Sequence, residues 1–418
     1  MDDAPVVGRS LADGHPFDTL WVASGISNLA DGIGLTAAPL LAAALTRDPL
    51  LVSGLTIAQR LPWFLFTLIS GALVDRLDRR RVMERANRWR FILLLGLAGM
   101  VLAGRVTLPI LYLTIFLLGV IETLFDNAAL AILPQIVEQE QLEDANGRLF
   151  AASTLANELI GPPIGSYLFS ILQSTSFFIA SLAYGLSSFF IHRIPGDFSA
   201  LQRRPQGIIL EIKEGVSWFW HHRLLRTIGL FAATFNLVFA ATMGIFVLFS
   251  QEVLGLNAGE YGLLLATGAV GGILGSLLTR RLSDQIGAGL ILLLDAVLSG
   301  LGFLGIGLTT RPLIVGLMLV LISLSDMFGN VIIISLRQAI IPPPLLGRVA
   351  SAYRLLVLGA LPLGAFIGGL LARTVNLAAP FLVGGPVLII AGIAILPVVN
   401  NRAIRAAREA AVAGRPRE

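Results

Sequence analysis

The chain has no cysteine in 418 residues, which excludes disulfides, thiolate metal sites and cysteine nucleophiles. Lysine occurs once, at Lys213, so a basic side chain is almost always arginine. The four histidines (His15, His192 and the tandem His221-His222) fall in separate segments and offer no metal-ligand spacing, and no metal is expected. No Gly-x-x-x-x-Gly-Lys loop appears, so direct use of ATP is not expected, and neither is an enzymatic role. Charge is scarce too, at 13% of residues against 56% hydrophobic, with a mean hydropathy of +0.83. That leaves too little polar surface to cover a soluble globule, and the composition is that of an integral membrane protein. Residues 1–16 are polar and acidic, so the first apolar stretch is expected to act as its own insertion signal rather than as a cleaved leader.

Spanning the hydrocarbon core takes about 20 apolar residues in a helix, the form that satisfies its own backbone hydrogen bonds in lipid. By that measure spans fall near 19–45, 51–74, 86–104, 108–137, 149–172 and 177–194, then near 227–254, 261–278, 288–308, 313–341, 349–375 and 379–399. The expected fold is therefore an all-α membrane protein of twelve transmembrane helices. Arginines crowd alternate connections: Arg76, Arg79, Arg80, Arg81, Arg85, Arg88 and Arg90 follow span two, Arg193, Arg203, Arg204, Lys213, Arg223 and Arg226 follow span six, and the acidic connection after span four, with Arg148 alone, breaks the pattern. The opposite connections hold only Arg47, Arg105, Arg311 and Arg373. By the positive-inside rule both termini are cytoplasmic.

Short sequences recur in matching order. Gly71-x-Leu73-x-Asp75-Arg76 after span two returns as Gly275-x-Leu277-x-Thr279-Arg280 after span eight, and Gly147-Arg148 with Pro162 returns as Gly347-Arg348 with Pro362. Two six-helix bundles follow, 1–194 and 227–400, with a linker at 195–226 and a basic cytoplasmic tail at 401–418. In the linker Ile208, Ile209, Ile212, Val216, Phe219 and Trp220 share a helical face opposite Glu211, Lys213 and Glu214. This predicts an amphipathic helix on the cytoplasmic leaflet; packing against the cytoplasmic ends of the spans is the alternative.

Ionisable groups at membrane depth cost about 2.5–3.5 kcal/mol each on insertion scales, so each is a functional candidate. Six acids fall there: Asp31, Glu122, Asp126, Glu158, Asp295 and Asp326. Ser24, Ser27 and Asn28 share the helical face of Asp31. Arg60 and Arg354 are the basic groups set against them, so the interior reads as net acidic. Asp126 and Glu158 lie at equal depth on consecutive helices, roughly 15 Å from the cytoplasmic ends at 1.5 Å per residue. They are expected to share a proton. Asp31, Asn28, Glu122, Asp126, Glu158 and Asp326 are the candidate proton-coupling and cavity residues, and Asp295, on an outer helix, is read as structural.

The segment Gly71-Ala-Leu-Val-Asp75-Arg76-Leu-Asp78-Arg79-Arg80 resembles motif A of the major facilitator superfamily of secondary transporters. Leu133-Pro134, Ala145-Asn146-Gly147 and Ile160-Gly161-Pro162-Pro163-Ile164-Gly165 are similar to the third drug:proton antiporter family, the macrolide-efflux and enterobactin-exporter branch. The resemblance implies a cytoplasmic gate at Gly71, Asp75, Arg76, Arg79 and Arg80. It also implies an antiporter-like motif at Gly161, Pro162 and Gly165, with a plain proline kink as the competing reading. Three departures stand out: Asp78 replaces a glycine, Thr279 replaces the second-half aspartate, and no basic residue lies between Leu108 and Val137.

The expected function is secondary active efflux of an amphipathic small molecule (a drug, a macrolide-like compound or a siderophore). It would run by alternating access, with no cofactor and the proton gradient as the energy source. The expected setting is the inner membrane of a prokaryote, as a monomer among membrane lipids without nucleic acid. A proton-coupled importer or uniporter of the same fold, or a lipid flippase, are the alternatives.

Overall fold

The computed structural model describes residues 15–74, 76–196, 198, 208–342 and 345–413, and among them secondary structure is helical throughout. In chain order the helices are α1 (His15–Leu45), α2 (Pro49–Val74), α3 (Arg79–Leu102), α4 (Leu108–Ile136), α5 (Leu142–Thr154), α6 (Gly161–Ile171), α7 (Gln173–His192) and α8 (Ile208–His221). There follow α9 (Arg223–Met243), α10 (Phe246–Leu248), α11 (Ala258–Ile286), α12 (Ala288–Leu308), α13 (Pro312–Ile340), α14 (Leu346–Thr374), α15 (Ala379–Ile395) and α16 (Asn401–Ala413). π-helical turns at Leu155–Ile160 and Phe249–Val253 join α5 to α6 and extend α10.

Among the described residues nine helices are long and apolar enough to cross a membrane: α1, α2, α4, α7, α9, α11, α12, α13 and α14. The chain is an integral multi-pass membrane protein. Three of the expected spans differ for visible reasons. α3 opens with arginines, the fifth span is interrupted by its π turn, and α15 is 17 residues long.

Local chemistry sets the helix ends. Asp78, the departure from the glycine pattern, is the N-cap of α3, its Oδ1 accepting the Arg81 N–H at 3.2 Å. His222 caps α9 by accepting the Leu225 N–H at 3.3 Å, and burial lowers the imidazole pKa, which favours the neutral, accepting ring. Gly287, at φ +83°, makes the turn from α11 to α12, where Asn401 accepts the Gly289 N–H and donates to the Ile286 carbonyl, both at 2.8 Å.

The chain divides into two compact units. The first comprises the described residues of Met1–Thr46, Ala58–Arg204 and Leu256–Ala266; the second comprises those of Arg47–Ile57, Pro205–Gly255 and Thr267–Glu418. Each has its own buried apolar cluster, the first around Leu20, Met83, Phe125 and Ile132 and the second around Phe219, Ile291, Phe328 and Leu336. The first turns of α2 and of α11 each group with the other half of the sequence.

Within each unit helices approach closely through glycine. A Cβ on Gly161 would sit 2.6 Å from the Gly32 Cα, and one on Gly165 would sit 2.5 Å from the Ile33 carbonyl, so α6 lies directly on the α1 backbone. Thr36 Oγ1 donates to the Pro162 carbonyl at 3.2 Å across the same seam. The second unit repeats the device between α14 and α9, where Gly364 and Gly368 meet the Leu237 and Ala241 carbonyls. Pro162 lacks the N–H that a continuing helix would use, and the π turn just before it absorbs the irregularity.

The linker helix α8 packs on α14 and does not lie free. Phe219 is buried, Gly215 abuts the Arg348 carbonyl, and Glu214 pairs with Arg348; Trp220 alone of the described face residues is exposed. The side chains of Ile208, Ile209 and Ile212 lie outside the described part.

Candidate functional site

Polar side chains buried at depth gather into one centre in each unit. In the first, Asp31 of α1 accepts the Tyr184 hydroxyl of α7 at 2.5 Å and lies 3.8 Å from Arg90 Nη1 of α3. Arg90 is 1% exposed, with its guanidinium over the rings of Phe125 (5.2 Å) and Tyr184 (5.1 Å). Glu122 and Asp126, one turn apart on α4, interact electrostatically with both Asp31 and Arg90, and Glu122 also with Arg60. Beside the guanidinium, Asn87 donates to Ser187 Oγ at 2.8 Å and to Ser27 Oγ at 3.3 Å. Arg90 Nη1 reaches Ser27 Oγ and Asn87 Oδ1 only at 3.4 Å, and Nη2 has no partner. This geometry is loose for hydrogen bonds, so the guanidinium is held chiefly by charge and ring faces.

The arrangement corrects two expectations. The interior of this unit is not a set of acids without a cation, because Arg90, counted above with the loop arginines, lies among three of them. It also brings a basic group to α4, whose own sequence lacks one. The reason was readable in register: Met83, Asn87, Arg90, Leu94 and Leu97 recur at helical spacing on the buried face of α3, whereas Arg81, Arg85 and Arg88 are exposed. Tyr184 carried no comparable signal.

The second correction concerns Asp126 and Glu158. The charged neighbours of Asp126 are Arg90, Asp31 and Glu122, while Glu158 is exposed on the π turn and has no charged neighbour among the described residues. Equal depth did not bring them together, because Glu158 follows Asn157, whose backbone faces Gly32, and so points away from that seam. Asn28 bridges α1 to α5, donating to the Ser24 carbonyl at 2.8 Å and accepting from Ser153 Oγ at 3.1 Å.

In the second unit α9, α12, α13 and α14 surround a cavity of about 230 Å³. Asp295, Asp326, Asn330 and Arg337 line it together with Phe235 and Tyr353. Asp295, read above as a structural outer-helix residue, is 3% exposed and faces this cavity. Its Oδ1 accepts the Ser299 hydroxyl at 3.2 Å, Ser299 is 2.7 Å from Ser325 Oγ, and Asp326 accepts Asn330 Nδ2 at 3.0 Å. Arg337 is a further basic group within a span that the sequence reading passed over, its guanidinium 4.0 Å from the Tyr353 ring centroid.

At the gate-like motif, Arg76 is exposed and Arg80 Nη1 donates to the Ile194 carbonyl at 2.7 Å, tying α3 to the end of α7. The Arg79 N–H reaches the Phe198 carbonyl at 3.4 Å, and a Cβ on Gly71 would meet open space. Asp75 lies outside the described residues. Thr279, its second-half counterpart, is buried with its hydroxyl donated to the Gly275 carbonyl of its own helix.

Among the described residues there is no strand, and each helical unit buries charged side chains. Residues 12–413 match the transmembrane secretion effector family of the major facilitator superfamily, and the chain belongs to that family. Macrolide efflux protein A of Streptococcus pyogenes is 24% identical over 400 residues, covering 92% of this chain and 96% of that protein. Multidrug efflux pump Tap of Mycobacterium tuberculosis is 26% identical over 391 residues, covering 88% of each. Among solved structures, the nucleoside transporter NupG superposes with a TM-score of 0.77 at 11% identity, over 92% of this chain and 100% of that one. A bacterial homologue of the iron transporter ferroportin superposes with 0.72 at 19%, over 93% and 99%. The chain is a major facilitator transporter and not an enzyme.

Proposed function

We propose that this protein is a proton-coupled exporter of amphipathic small molecules, with twelve spans in two six-helix bundles and both termini cytoplasmic in a prokaryotic inner membrane. The supporting observation is the buried centre in which Arg90 is held among Asp31, Glu122 and Asp126. Three carboxylates around one guanidinium would leave two negative charges unbalanced if all ionised, so the cluster is built to gain and lose a proton. Protonation at one acid weakens the hold of Arg90 on the others, which is the kind of charge change that biases one packing of helices over another. The efflux pumps named among its relatives support export over import. The six acids at depth outnumber the four arginines there (Arg60, Arg90, Arg337 and Arg354), which favours a neutral or cationic cargo.

The test is transport in proteoliposomes under an imposed pH gradient, with a macrolide and a lipophilic dye as cargo. Gradient-driven flux that collapses with a protonophore supports the reading. Flux that follows a sodium gradient, or facilitated movement indifferent to either gradient, defeats proton coupling. Labelled lipid moving in place of both cargoes would make the protein a flippase.

A further inference from the structure

A second, polar cavity of the second unit lies where two spanning helices meet. α11 and α12 are each long and apolar enough to cross a membrane, and they join at the Gly287 turn. At 21 residues α12 matches the hydrocarbon thickness, roughly 30 Å at 1.5 Å per residue, so its first residue stands at the level of the lipid head groups. α16 packs beside that turn, burying Ile404 and Ala407 in the apolar cluster of the unit and leaving Arg402 and Arg405 exposed. Asn401 fixes it there through the Gly289 N–H and the Ile286 carbonyl. Between the last turn of α11 and α16 a cavity of about 430 Å³ remains, with Ser283, Asp284, Gln285, Ala288, Asn401 and Arg405 on its wall.

The opposite charges on this wall do not satisfy each other. Asp284 and Arg405 line one cavity, yet neither side chain makes an ion pair or hydrogen bond among the described residues, and the same holds for Ser283 and Gln285. An anion alone would meet the Asp284 carboxylate, and a cation alone would meet the Arg405 guanidinium. A hard divalent cation wants six or more oxygen ligands, and this wall supplies one carboxylate. A zwitterion suits both ends. Guanidinium and phosphate form paired, charge-assisted hydrogen bonds, and the start of α12 at Ala288 adds its positive end to the same wall. At the other end Asp284 accepts ammonium N–H groups, with the Ser283 hydroxyl and the Gln285 carbonyl as further acceptors. A quaternary ammonium has no N–H to give and is held by aromatic faces, and no aromatic residue lines this cavity among the described residues. The ammonium that fits is therefore primary.

We propose that this cavity binds the phosphoethanolamine head group of a membrane lipid, phosphate at Arg405 and primary ammonium at Asp284, and that the bound lipid fastens α16 to the α11–α12 turn. The lipid source follows from the level of the cavity at the end of two spans. The proposal goes beyond the transport reading and does not depend on it, because none of these residues belongs to the buried centres.

The test titrates the full-length protein in detergent with dioctanoyl phosphatidylethanolamine, phosphatidylcholine and phosphatidylglycerol, following bound lipid by native mass spectrometry. Wild type is expected to bind the ethanolamine lipid at least about fivefold more tightly than either of the others. Asp284→Asn should remove that preference, and Arg405→Gln should weaken the ethanolamine and glycerol lipids alike. Both side chains are exposed, so the variants are expected to fold. Equal affinities in wild type, or a preference at full strength in either folded variant, overturns the site. Soluble glycerophosphoethanolamine separates the two sources of the head group: failure to compete supports a lipid, whereas competition as strong as that of the intact lipid overturns the membrane assignment. Hydrogen exchange of the α16 amides reads the fastening, and should slow with the ethanolamine lipid in wild type but not in Arg405→Gln. Exchange unchanged at saturating lipid overturns the fastening.

Discussion

The two units solve the same electrostatic problem in opposite ways. In the first, Asp31, Glu122 and Asp126 surround Arg90, so the cation that compensates them is part of the protein. In the second, Asp295 faces Asp326 across a cavity, and the basic residue lining that cavity, Arg337, is stacked on Tyr353. An internal counter-ion makes a centre that titrates as a cluster and holds helices together. The second centre sets its two acids on the wall of a cavity instead. The contrast is the more informative because the halves otherwise echo each other: Asp126 and Asp326, Arg148 and Arg348, and Pro162 and Pro362 all recur at one spacing.

The largest expected effect tests that contrast directly. Arg90→Met leaves three acids without their cation, and removing one member of a buried charge network costs about 3–5 kcal/mol. Asp295→Asn replaces a buried acid whose charged neighbour is another acid, Asp326, and keeps an acceptor for Ser299, so it should be neutral or stabilising. Thermal unfolding in detergent measures both, and equal losses would erase the distinction between the units.

Function should divide next. Asp31→Asn keeps an acceptor for the Tyr184 hydroxyl but removes a titratable member of the cluster, so gradient-driven flux should fall at least about tenfold while the protein still folds. A tenfold loss corresponds to ~1.4 kcal/mol. Undiminished flux would make Asp31 a structural partner of Arg90, leaving coupling to Glu122 and Asp126.

Smaller effects should be alike in the two units. Gly165→Val and Gly368→Val each force a side chain into a neighbouring backbone carbonyl, and overpacking of this kind costs about 1–3 kcal/mol. A large loss in one unit only would show that the two glycine seams are not equivalent. The smallest effects belong to the exposed ion pairs of Arg148 with Asp18 (3.6 Å) and of Arg348 with Glu214. Asp18→Asn and Glu214→Gln should each change stability by about 0–1 kcal/mol, with the smaller change at high salt.

Much of the fold was legible because a membrane imposes strong rules on sequence. Long apolar runs have to become helices, arginine placement has to respect the two faces, and repeated motifs in order announce two similar units. The site was legible in part. Asp31 and the α4 acids stood out because charge at depth is expensive whatever surrounds it. Arg90 was obscured by the run of arginines before it, although its helical register set it on the buried face. Asp295 was set aside because an outer helix was taken to imply a structural role, yet the small Gly329 opposite gives it access to a cavity.

Composition, periodicity and charge distribution determined by themselves that the chain is helical, lies in a membrane and repeats. These depend on the transfer of each residue from water to lipid, a property that sums along the chain without reference to neighbours. Only the tertiary structure decided which charges meet. Depth along a helix can be counted from sequence, but the face that a side chain presents depends on how the helices rotate and approach. That is why Asp126 stands with Arg90 rather than with Glu158, and why one glycine decides where the Asp295 carboxylate rests.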